Sequence, residues 1–183
     1  MKGKIIGIDP GLTATGIVVA YPKKNDLGVY RHSVIGAEGN SWYEKCDNIA
    51  HRVQQWIIMN TNHLDVLYVM IEEPINMIQS RAWASAIQNR LLSLLVDRIT
   101  NIPDRTIVIS IIFPLTMKKK FTGSGKASKE DMIEVASKFY KFRKHHTQRI
   151  REAIADAIGV AYCCWVHFRS GEDTIETKGI TSI

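Results

Sequence analysis

The chain has 183 residues, an apolar fraction of 45% and a net charge of +6, with a pI near 9.3. That length suits one ordinary domain and that apolar share suits a real core, which argues against a two-lobed architecture and against global disorder. Residues 116–151 hold 11 Lys or Arg against 3 Asp or Glu, an excess of eight that leaves the remainder near −2. A basic block inside a foldable domain suggests a polyanion partner, with nucleic acid first in order, although a solvated lysine-rich surface would read the same way.

Residues 4–9 read as a short buried strand, after which Gly11 marks a turn. Residues 16–21 and 29–35 read as two further strands, joined by the hairpin chemistry of Lys23 to Gly28, so the chain opens as an antiparallel meander. Ser41 with Glu44 three residues on predicts a capping box. The helix it opens runs to about Asn60, with Trp42, Cys46, Ile49, Val53 and Ile57 at helical spacing. Leu64 to Ile71 reads as a buried strand ending in Glu72-Glu73-Pro74. A long helix from about Met77 to Ile99 follows, in which Met77, Trp83 and Ile87 read as packing residues. Thr106 to Ile112 is another strand, and Pro114 to Ser128 reads as a basic, glycine-containing loop. Ser128 can cap a helix starting at Lys129, with Asp131 in its first turn. A last helix spans about Thr147 to Val166.

The order β-β-β-α-β-α-β-α-α implies an α/β fold, a mixed five-stranded sheet flanked by helices. A single domain over residues 1–169 is expected, with a polar, loose tail at 170–183. The most apolar stretch, Thr106 to Leu115, is too short to span a bilayer. Asp9-Pro10-Gly11 interrupts the N-terminal apolar run, which makes a poor secretory signal. Cys46, Cys163 and Cys164 have no paired ligand spacing, and a reducing, cytoplasmic location is expected.

Asp9 closes the first strand, and sites in mixed sheets gather at the carboxyl ends of strands. Taken alone, it reads equally as the first residue of an Asp-Pro-Gly turn. Glu72 and Glu73 end the later strand on opposite faces, and parity does not choose between them, since both sets of preceding residues are apolar. In the last helix, Glu152 and Asp156 lie one turn apart on a stripe with His145 and Arg149, which in isolation would be a solvated flank. Carboxylates gathered without nearby cations repel one another, a cost that hard divalent ions remove. Oxygen-only donors suit Mg²⁺ or Mn²⁺, and two such ions can assist in-line hydrolysis of a phosphodiester. Gly123-Ser124-Gly125-Lys126 lacks the full spacing of a phosphate-binding loop and reads as a flexible turn facing nucleic acid. His145 and His146 read as polar surface.

The opening KIIGIDPGLTATGIVV, the block VMIEEP, the block KKKFTGSGKASKEDM and the block REAIADAIGVAYC, in this order, resemble RuvC-type Holliday junction resolvases of the RNase H-like superfamily, a group found in bacteria, phages and other viruses. The resemblance covers about Lys4 to Cys164. It implies an RNase H-like fold and a homodimeric endonuclease that nicks four-way DNA junctions with two Mg²⁺ ions per site, leaving 5′-phosphate and 3′-hydroxyl ends. It implies metal-binding roles for Asp9, Glu72 and Asp156, and DNA contacts from Lys118 and Lys129, with Lys119, Lys120 and Lys126 in the same basic segment. Ile75 matches a residue that wedges into the junction. The family's usual second acid, three residues before the last Asp, is replaced by Ala153, and Glu152 is the candidate substitute. The competing readings are a nuclease of RNA–DNA hybrids on the same fold and a non-catalytic junction-binding relative. A sugar kinase or actin-like ATPase needs two lobes and is excluded by length.

Overall fold

Alternation along the strands decides which side chains each face of the sheet receives. The computed structural model describes residues 3–62, 65–73 and 82–170, with 82–85 and 170 by backbone alone. Its elements are β1 (Lys4–Asp9), β2 (Thr15–Pro22), β3 (Leu27–Ile35), α1 (Trp42–Asn60), β4 (Leu67–Glu72), α2 (Ala82–Thr100), β5 (Ile107–Ile112), α3 (Pro114–Thr122), α4 (Lys129–Ala136) and α5 (Gln148–Ser170). The five strands form one sheet in the order β3-β2-β1-β4-β5. The first three pair antiparallel, while β4 and β5 add parallel to β1, so the sheet is mixed as expected.

Ile6, Ile8, Ile17, Val19, Leu67, Val69 and Ile71 pack on one face with α1 and α2. The helical stripe expected in α1 is the buried one, from Cys46 through Ile49 and Val53 to Ile57. The other face carries Ile5, Val18, Ala20, Met70 and Ile112 and is covered by residues of α3, α4 and α5. Here α5 comes within backbone contact of the sheet. A Cβ on Gly7 would run into the carbonyl oxygen of Ala157, and one on Gly16 into that of Ala153. Only glycine at these two strand positions lets the helix lie so close.

Three expectations change. Residues 114–128 are not one loop, because α3 occupies 114–122. Pro114 is pre-organised for a first helical turn, and Met117 and Phe121, four residues apart, are buried against α5 around Gly159. The lysine run between them hid that short stripe. Gly123, at φ 89°, ends the helix in the left-handed region. Strand β4 starts at Leu67 because a turn takes the preceding residues: Asp65 N–H donates to Asn62 O at 3.0 Å, and Asn62 N–H to Asp65 Oδ2 at 2.9 Å. At α1, Ser41 Oγ accepts from Glu44 N–H, but the Glu44 carboxylate reaches back to Asn40 rather than to Ser41. The full reciprocal box forms instead at α4, between Ser128 and Asp131. Ile75, Met77, the Trp83 side chain and the tail lie outside what is described.

Candidate active site

Asp9 and Glu72 end adjacent parallel strands. The register pairs Ile8 with Ile71, so both acids stand one step beyond that pair. They share the parity of Ile5 and Met70, whose side chains face α5. Tertiary packing thus makes the choice that sequence parity left open: Glu72 faces the helix that carries Asp156, while Glu73 has the opposite parity.

Asp156 is 5% exposed because α3 and α4 cover the flank of α5 that the sequence reads as solvated. Its Oδ2 accepts a hydrogen bond from Lys129 Nζ, at the first position of α4. Its Oδ1 is buried with no hydrogen-bond partner. The acids therefore do have a cation among them, contrary to the expectation from sequence. Lys129 is an ion-pair partner inside the cluster before it is anything else.

The electrostatics follow from this crowding. Burial, then the charge of Asp156, pushes the Asp9 carboxyl above its ordinary range, against the pull of Lys129 and a hydrogen bond with Glu72. Glu72 is raised in the same way by burial, Asp9 and Asp156, with Lys129 and Lys118 opposing. Asp9 and Glu72 therefore titrate as a pair. Burial works to lower the Lys129 pKa, but the Asp156 hydrogen bond and charge, backed by Asp9 and Glu72, hold it above the usual lysine range.

Other candidates sort by position. Glu152 is half-buried, and its Oε1 accepts from Gln148 Nε2 at 3.1 Å, so the structure does not bring it into the cluster. Ala153 is buried where α5 meets Gly16. Lys118 donates to the Ala127 carbonyl at 3.1 Å and ties α3 to the start of α4. Lys119, Lys120 and Lys126 are exposed. His145 is exposed as expected, but His146 is buried, with its ring packed against those of Tyr140, His32 and Phe142. No sequence signal pointed to that cluster, because β3 and the segment before α5 meet only in the folded chain.

The profile of crossover junction endodeoxyribonuclease RuvC matches residues 5–164. The chain belongs to the RuvC family. Among RuvC relatives, the enzyme of Wolbachia pipientis (strain wPip from Culex pipiens), a crossover junction endodeoxyribonuclease, is 26% identical over 166 residues, covering 87% of this chain and 90% of that protein. Thermus thermophilus RuvC in complex with a Holliday junction superposes with a TM-score of 0.71 at 19% identity, over 92% of this chain and 96% of that one. The Fowlpox virus resolvase, solved with Holliday junction DNA, gives a TM-score of 0.55 at 10% identity, over 90% and 98%. At such identities these structures speak for the fold, which is the RNase H-like α/β sheet expected.

Nucleases of the RuvC type depend on divalent metal, and the residues present fit such an ion by chemistry. All three acids offer oxygen, and Asp156 Oδ1 is buried and unsatisfied. Among the described residues, however, no group of three His, Cys, Asp or Glu side chains is arranged to hold an ion. The acids surround common ground, and side-chain rotation would be needed to close a coordination shell. Among the same residues, no helix is long and apolar enough to cross a membrane.

Proposed function

We propose that the chain is a metal-dependent endonuclease that resolves four-way DNA junctions, acting as a homodimer through paired nicks. The observation that carries this reading is the meeting of Asp9, Glu72 and Asp156, from β1, β4 and α5, beside the lysines of α3 and α4. Three carboxylates and one ammonium leave a net negative pocket, which by itself would repel a phosphodiester. Mg²⁺, with Mn²⁺ as a substitute and two ions as the full complement, would supply the charge and activate the attacking water. Asp9, Glu72 and Asp156 are the proposed ligands. Glu152 would join them only by giving up Gln148.

The chain's own groups divide the remaining work. Metal binding requires Asp9 and Glu72 to lose the proton that burial favours, and Lys129 helps by drawing both carboxyls toward the charged form. Lys118 lies near enough to Glu72 to act in the same direction, and both lysines stand where a phosphate would need charge compensation. Lys119, Lys120 and Lys126 would follow the backbone of a DNA arm. Hydrolysis would leave 5′-phosphate and 3′-hydroxyl ends.

The test is a mobile four-way junction incubated with Mg²⁺, with ends mapped on all four strands. Wild-type protein is expected to give symmetric paired nicks. Asp9→Asn, which removes charge with little change of shape, is expected to bind the junction and not cut it. Normal cleavage by that variant, or cutting of plain duplex at equal rate, sinks the reading.

A further inference from the structure

The chain leaves β5 directly beside the acidic cluster. Ile112 is the register partner of Glu72, and Glu73 N–H donates to Ile112 O at 2.8 Å, so the two strands stay bonded to that point. The next residue is Phe113, whose carbonyl begins α3 by accepting from Met117 N–H at 2.9 Å. Phe113 is 49% exposed, and Leu115, on the far side of the buried Pro114, is 60% exposed. Phe113, Met117 and Phe121 share a helical stripe at spacing i, i+4, i+8. Met117 and Phe121 are buried among the residues packed on α5, so the core closes without Phe113.

Single exposed apolar residues are ordinary. This pair is distinguished by its place, at the carboxyl edge one residue past the partner of Glu72, and by its company. Lys119 and Lys120 are exposed on the same helix, and Lys126 is exposed on the loop after it. An apolar protein partner would bring nothing for those charges to meet. A nucleotide brings both halves: a flat base face for the ring and a phosphate for the lysines.

We propose that Phe113, flanked by Leu115, is a base-stacking platform for the nucleotide next to the phosphate held at the acidic cluster. The proposal rests on the nuclease reading above and adds a source of substrate selectivity to it. In a duplex arm each base is already stacked on both faces and cannot lie on the ring. At a branch point a base can turn out of its stack at lower cost. The platform would therefore favour branched DNA over duplex without reading sequence.

The experiment uses the full chain carrying Asp9→Asn, so that bound junction is not consumed. Four-way junctions carry 2-aminopurine at successive positions within two nucleotides of the cleavage sites mapped with wild-type protein. At one position, binding is expected to change the fluorescence severalfold. Adding Phe113→Ala is expected to abolish that change and weaken junction binding roughly 5- to 150-fold, the equivalent of the ~1–3 kcal/mol of a base stacked on an aromatic ring. Phe113→Trp is expected to restore both, and duplex affinity is expected to be unaffected by either. An unchanged fluorescence signal and affinity in Phe113→Ala overturns the platform while the nuclease reading stands. Loss of self-association by Phe113→Ala in sedimentation also overturns it, since the patch would then be a contact between copies. If Asp9→Asn binds no junction at all, the nuclease reading itself fails and the platform fails with it.

Discussion

The two faces of the sheet are built on opposite plans. Toward α1 and α2 the strands present Ile, Val and Leu, and the helices answer with side chains of similar size, such as Ile49, Ile57, Leu91, Leu95 and Ile99. Toward α5 the sheet presents Gly7 and Gly16, and the helix answers with Ala153, Ala157 and Ala161. The first face gains stability from large apolar side chains. The second brings two backbones together and thereby carries the Asp156 carboxylate to the ends of β1 and β4. A buried acid cluster is tolerable on the second face because the first supplies apolar burial without having to accommodate charge.

That contrast can be broken from either side. Leu95→Ala removes a fully buried side chain from the α1–α2 face and is expected to cost about 2–5 kcal/mol in denaturant unfolding. Junction cleavage per folded molecule is expected to stay at the wild-type level. A large loss of cleavage would show that this face also tunes the site.

Gly7→Ala attacks the other face with one methyl group. The obstacle is backbone, so α5 must move, at a cost of about 1–3 kcal/mol. Unlike Leu95→Ala, it is expected to lower cleavage by folded protein, because Asp156 moves with the helix. Full activity with unchanged stability would refute the close-approach account.

The smallest expected effect concerns acid. Burial, then the charges of His146 and Arg143, lowers the His32 pKa from 6.5 to about 4, and Tyr140 Oη lies 3.2 Å from its Nε2. Between those two values the unfolded chain binds a proton that the folded chain does not, so stability falls as pH falls through that window. His32→Asn is expected to flatten the unfolding midpoint between about pH 6.5 and 4. An unaltered slope would mean that His32 titrates normally in the folded protein.

Much of this was legible in the chain itself. Long apolar runs with clear period marked all five strands, and the Cys46–Ile57 stripe marked α1, because such patterns are local. Asp9 and Glu72 were visible as acids closing strands. Helix α3 was not, since two apolar residues among lysines are too weak a pattern at nine residues in length. The Lys129–Asp156 pair spans 27 positions, and no local rule brings those residues together.

The sequence by itself determined the element order, the mixed sheet and the short set of acids from which a site could be drawn, because period and chain order act within a few residues. Only the tertiary structure decided that Glu72 rather than Glu73 faces the helix, that Asp156 is buried rather than solvated, and that Lys129 sits among the carboxylates. Those outcomes depend on which face α5 covers and how closely it docks. Gly7 and Gly16 set that distance, and their meaning emerges only once the helix lies against them.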